Sequence, residues 1–189
     1  MKELDTTTLE SSSLEELAKE LQSRYYESIY HFCGEAGEIA LQLRAKEIDN
    51  AAPTEIYTVL CINFTRQLRR FQEQRIDSLI PYIVSLAEKQ QSGHDCSNCA
   101  NGCQINHTAQ IALLQESHQF AKTQLHRLNN VVAPADTDAA YMDLYRLLRN
   151  KMFQIEKYLL ESRFIEETIL IPRIQLAQKA INIKSSPQY

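Results

Sequence analysis

The sequence predicts an all-α protein built as an up-down-up-down four-helix bundle, and three observations carry that reading. Residues that break helices are scarce: 4 Gly and 5 Pro in 189 residues, about half the usual share, too few for the turns of a β-sandwich or barrel. Apolar side chains recur every three, four or five positions over long stretches. Pro53, Gly93, Gly102 and Pro134 fall between those stretches, leaving four helices joined by connections of about four to a dozen residues, which favours antiparallel neighbours. A coiled-coil dimer ranks below the bundle because the apolar stripes are wider than a strict a/d seam. Apolar residues at 44% and charged residues at 23% fit a single soluble domain, expected over residues 13–183. The polar segment 1–12 is expected to be disordered, and the tail 184–189, which contains Pro187, is expected to fray.

Each helix has its own signals. Ser13-Leu14-Glu15-Glu16 spells a capping box, so the first helix starts at Leu14 and runs to about Glu47. Gly34 and Gly37 inside it permit a kink or close approach of another helix. A loop through Pro53 leads to the second helix, Thr54 to about Gln91, with Ile56, Val59, Leu60, Phe64, Leu68, Phe71, Ile76, Leu79, Ile80 and Ile83 on its stripe. Residues 93–102 break the pattern between two glycines. The third helix spans about Ile105 to Asn129, and after a loop containing Pro134 the fourth runs from about Thr137 to Ile181, with Leu144, Leu148, Ile155, Leu159, Ile169 and Leu176 inside.

Two segments repeat. Ser78-Leu79-Ile80-Pro81-Tyr82-Ile83 on the second helix matches Ile169-Leu170-Ile171-Pro172-Arg173-Ile174 on the fourth. A proline well inside a helix removes a backbone donor and crowds the preceding turn, and two in matched apolar contexts suggest duplicated helix pairs. With Arg24-Tyr25-Tyr26-Glu27, Asn106-His107 and Leu144-Tyr145-Arg146-Leu147-Leu148, these segments give a chain that, from about Leu14 to Leu176, resembles the hemerythrin-like proteins, and among them the di-iron branch that repairs iron–sulfur clusters.

The resemblance implies a carboxylate-bridged di-iron site in the bundle core. In that family the second and fourth helices each supply His and Glu, ten and six residues before the proline, and the first and third helices each add a His. Carried over, those positions are Tyr26, Phe71, Arg75, His107, Ser162 and Glu166, so only His107 and Glu166 are kept. Phe71 has no donor atom and Arg75 brings a permanent positive charge where a cation would sit. The usual di-iron centre is therefore expected to be absent. Arg75 and Glu166 fall at corresponding offsets and are expected to pair across the core, among Tyr26, His107 and Ser162 as polar neighbours. Glu35, Glu38, His31 and His118 would build a shifted iron site only if they faced inward.

The connection after the second helix concentrates the chemistry. His94, Cys96, Cys99, Cys103 and His107 lie within fourteen residues. Three thiolates and one imidazole suit tetrahedral zinc, and three thiolates also suit iron or an iron–sulfur cluster. Cys96 and Cys99 alone form a candidate redox dithiol. His107 cannot serve both the loop and the core; if it faces the core, His94 is the better fourth ligand. Cys33 and Cys61 read as small buried hydrophobes.

The remaining signals restrict the function classes. A net charge of −4 argues against a nucleic-acid surface. Arg66, Arg69 and Arg70 share a helix with Gln72 and Glu73 and read as a solvated face. Tyr25, Tyr26 and Tyr30 read as packing. No apolar run is long enough to span a membrane and no secretory leader is visible, so a cytoplasmic protein with reduced thiols is expected. No nucleophile–base pair is apparent. The expectation is a metal- or redox-linked sensor or regulator working through loop 94–107; the alternative is a non-metal scaffold for a protein partner or a second copy.

Overall fold

The computed structural model describes residues 6–47, 55–94, 107–131 and 139–183, which form five helices and contain no strand. Helix α1 is Thr6–Ser11. Helix α2 joins Leu14–Leu21, a π-helical turn Gln22–Tyr26 and Glu27–Glu47. Helix α3 joins Glu55–Gln74, a π turn Arg75–Leu79 and Ile80–Gln91. Helix α4 is His107–Asn129. Helix α5 joins Ala139–Ile165, a π turn Glu166–Leu170 and Ile171–Ile183. No helix is long and apolar enough to cross a membrane among these residues.

The capping box is present. Ser13 Oγ accepts the Glu16 amide at 3.1 Å, while the Ser13 amide donates to the Glu16 carboxylate at 2.7 Å. Two otherwise unsatisfied donors are thus closed at the start of α2, whose first segment buries Leu14, Leu17, Ala18 and Leu21. At the far end of α3, Gly93 adopts φ 66°, a left-handed conformation that suits glycine, and the His94 amide returns to the Lys89 carbonyl at 3.0 Å.

Helix α2 packs against α3 and α5. Its first segment meets the last segment of α3, and Glu27–Glu47 meets Glu55–Gln74 and Ala139–Ile165, while the last segments of α3 and α5 pack on each other. Helix α2 is therefore antiparallel to α3 and α5. Helix α4 lies mainly on the first segment of α3. The shared core includes Leu17, Leu21, Ile29, Leu43, Leu68, Leu79, Ile83, Leu148, Ile155, Leu170 and Ile174. Phe120 of α4 joins it by stacking on Phe64, with ring centroids 6.0 Å apart, and by a tilted contact with Phe71 at 5.5 Å.

The two repeated Ile-Pro segments share one local geometry. Each proline follows a π turn, in which the Ile80 amide bonds the Arg75 carbonyl and the Ile171 amide bonds the Glu166 carbonyl, five residues back. A proline ring clashes with the carbonyl four residues before it, and a widened turn at that point relieves the crowding. The π turn in α2 has no proline after it; it packs against the π turn of α3.

Three expectations need correction. Segment 1–12 is not wholly disordered: Thr6–Ser11 is helical, and the Arg173 guanidinium donates to the Ser12 carbonyl at 2.6 Å and the Leu9 carbonyl at 3.4 Å. Ile56 and Leu176, read as stripe residues, are 66% and 65% exposed. Their neighbours Tyr57 and Ala177 occupy the core instead. Residues 1–5 and the tail 184–189 lie outside the described residues.

Replacing Ser13 by Ala should destabilise the protein by about 1 kcal/mol in denaturant melts, the usual cost of losing such a cap. An unchanged midpoint would show that the capping box contributes nothing to the fold.

Candidate functional site

Each of the three π turns contributes one polar or charged side chain to the same buried place: Tyr26 ends the first, Arg75 begins the second and Glu166 begins the third. Such turns are frequent at functional sites because they re-aim side chains without breaking the helix. Helix α4 adds Ser117 and His118. Arg75, Ser117, His118, Ser162 and Glu166 are all buried, and Tyr26 and Glu166 have no exposed surface.

Arg75 Nε lies 3.3 Å from Glu166 Oε1, and Arg75 Nη2 donates to Glu166 Oε2 at 3.4 Å and to Ser117 Oγ at 2.7 Å. Its guanidinium carbon stands 5.3 Å from the centre of the Tyr26 ring, within cation–π range. His118 bridges two carboxylates: Nε2 pairs with Glu166 Oε2, and Nδ1 is 3.3 Å from Oε1 of the half-exposed Glu167. The network thus runs from the surface at Glu167 through His118 and Glu166 to Arg75. Tyr26 Oη, Arg75 Nε and Glu166 Oε1 are buried without a well-aligned hydrogen bond.

The electrostatics follow from burial and proximity. Burial is the largest influence on Glu166 and pushes its carboxyl upward, but the Arg75 charge and the His118 contact together outweigh it and hold the group below its usual range. Burial pushes the Tyr26 phenol well above its ordinary value, and the Glu166 charge adds to this, so the hydroxyl stays protonated.

These residues do not fit a di-iron centre. Phe71 is buried and packs on Phe120, Arg75 already neutralises Glu166, and Ser162 Oγ donates to the Leu159 carbonyl of its own helix at 3.2 Å. No group of His, Cys, Asp and Glu that could hold a metal ion occurs among the described residues. The shifted alternative is no better supported: Glu35 pairs with Lys151 at 2.7 Å, and His31 and Glu38 are exposed. Of that set only His118 faces inward.

The sequence reading of α4 needs amendment. His107 opens the helix, and its side chain lies outside the described residues; the imidazole that reaches Glu166 belongs to His118. Eleven residues make just over three helical turns, so positions 107 and 118 fall at nearly the same angle about the helix, about 16 Å apart along it. Periodicity could not separate them. Cys96, Cys99 and Cys103 also lie outside the described residues, whereas His94, half-buried, is the last described residue after α3. Cys33 and Cys61 are buried, and burial raises both thiols, that of Cys61 to about 12.

No protein-family model matches the chain, and no curated protein or solved structure matches it either. Nothing in these comparisons identifies a hemerythrin-like family.

Replacing Glu166 by Ala should cost roughly 3–5 kcal/mol in denaturant melts, because it strands a buried guanidinium. A loss well under 1 kcal/mol would show that the pair does not sustain the fold. The acid dependence has a definite sign. The native Glu166 pKa lies below the unfolded value near 4.5, so its stabilisation is complete above that pH and fades as pH falls through the lower native value. The stability gap between wild type and Glu166→Gln should therefore be widest near neutrality and narrow in acid; a gap constant with pH would contradict the charged pairing.

Proposed function

We propose that the chain is an up-down-up-down, hemerythrin-like four-helix bundle whose di-iron centre has been replaced by the Arg75–Glu166–His118 cluster. It acts as a metal- or redox-linked sensor or regulatory protein through loop 94–107. The observation that supports this reading best is the Arg75 guanidinium buried against Glu166, a fixed positive charge in the place where the resemblance expects a metal. With the core filled in this way, the remaining ligand-rich segment is the one between α3 and α4. It leaves α3 at the left-handed Gly93 and rejoins helix at His107. Cys96, Cys99 and Cys103, with His94 or His107 as fourth ligand, would hold zinc or iron there, and binding would depend on thiolate chemistry.

A second reading, a helical scaffold for a protein partner, draws on a different observation. Phe153, Leu160 and Phe164 fall on one face of α5, spaced seven and four residues apart, and are 69%, 58% and 50% exposed.

Elemental analysis of reduced protein prepared without an affinity tag tests these readings. About one zinc or iron per chain, lost when Cys96 and Cys99 are replaced by Ser, is the expected result. Iron near two per chain would overturn the loss of the di-iron centre. No metal and no reversible Cys96–Cys99 disulfide would overturn the sensor and leave the scaffold.

A further inference from the structure

A groove away from the core cluster lies between α2 and the first segment of α3. It encloses about 400 Å³. Gly34 and Gly37 form its floor on α2: a Cβ at Gly37 would stand 3.4 Å from Thr65 Oγ1, and one at Gly34 would stand 3.9 Å from Arg69 Nη1. A larger side chain at either position would fill the space. Arg66, Arg69 and Arg70 line the opposite side.

Three guanidiniums at successive i, i+3 and i+4 positions repel one another, and helices normally offset such a cluster with nearby carboxylates. Here, among the described residues, none of the three forms an ion pair, although Glu38 and Glu73 also line the groove. Arg69 is instead anchored by an aromatic ring. Its guanidinium carbon lies 4.2 Å from the centre of the Tyr30 ring, Nη2 donates to the Tyr30 hydroxyl, and Nε is buried without a partner. One arginine is thus held in a fixed orientation with a donor unused, and two exposed arginines stand beside it.

We infer that this groove binds a small oxyanion, an organic phosphate or carboxylate, clasped by Arg66, Arg69 and Arg70 over the glycine floor. Planar guanidiniums match phosphate and carboxylate oxygens with paired donors, and a concave site with fixed polar groups is the ordinary form of a small-ligand pocket. Glu38 and Glu73 disfavour a bare anion and favour one that also carries hydroxyl or ammonium donors. The inference does not depend on the loop or on the core cluster.

Calorimetric titration of the full chain with glycerol 3-phosphate and with citrate, at ionic strength matched by sodium chloride, is the test. Either or both should bind, and Arg66→Gln/Arg70→Gln, which alters only exposed side chains, should weaken binding about tenfold or more. Gly37→Leu, which fills the floor and leaves every charge in place, should weaken it as well. Absence of binding by both probes, or equal binding by the arginine variant, would overturn the site.

Discussion

The arrangement depends on one buried ion pair. Taking a guanidinium and a carboxylate out of water costs several kcal/mol each, and their attraction repays this only when the surroundings supply further partners. Those partners come from different helices: Ser117 and His118 from α4 and the Tyr26 ring from α2, around Arg75 of α3 and Glu166 of α5. Four long helices therefore converge at one level, and a helix slipped by a turn would leave a charge alone in apolar surroundings. The pair acts less as a source of net stability than as a penalty on every other register.

The π turns make this convergence possible. An α-helix interrupted by one wide turn presents its two segments at different angles, so a polar residue at the junction can point inward while the leucines and isoleucines on either side remain in the core. In α3 the junction carries Arg75 and in α5 Glu166, and each is followed by a proline that favours the wide turn. The repeated Ile-Pro segments therefore have a physical meaning whatever their origin: they set the two charged residues at equivalent depth. In α2 the same geometry positions Tyr26 without a proline, and contact with the π turn of α3 accompanies it.

Much of this was legible in the sequence because it depends on local spacing. The capping box at Ser13, the four long helices and the matching offsets of Arg75 and Glu166 from their prolines are properties of short windows. What depended on distant partners was not legible. Thr6–Ser11 is polar and ordinary by itself, and its anchor, Arg173, lies more than 160 residues away. His118 was indistinguishable by phase from His107, and the choice required the position of Glu166. The apolar pattern did not say which of Ile56 and Tyr57, or Leu176 and Ala177, would face inward, because a π turn shifts the register on either side of it. Arg66 and Arg70 are exposed, as a solvated face requires, but the glycine floor opposite them belongs to another helix.

The five cysteines divide into two groups, three in one connection and two in helices. Cys33 of α2 and Cys61 of α3 are almost wholly enclosed, and burial keeps both as neutral thiols. Because the thiolate is the reactive form, an alkylating reagent reaches these sulfurs only when the helices around them part. The rate at which they are modified is thus a clock for opening of the helical core, built into the chain without any label.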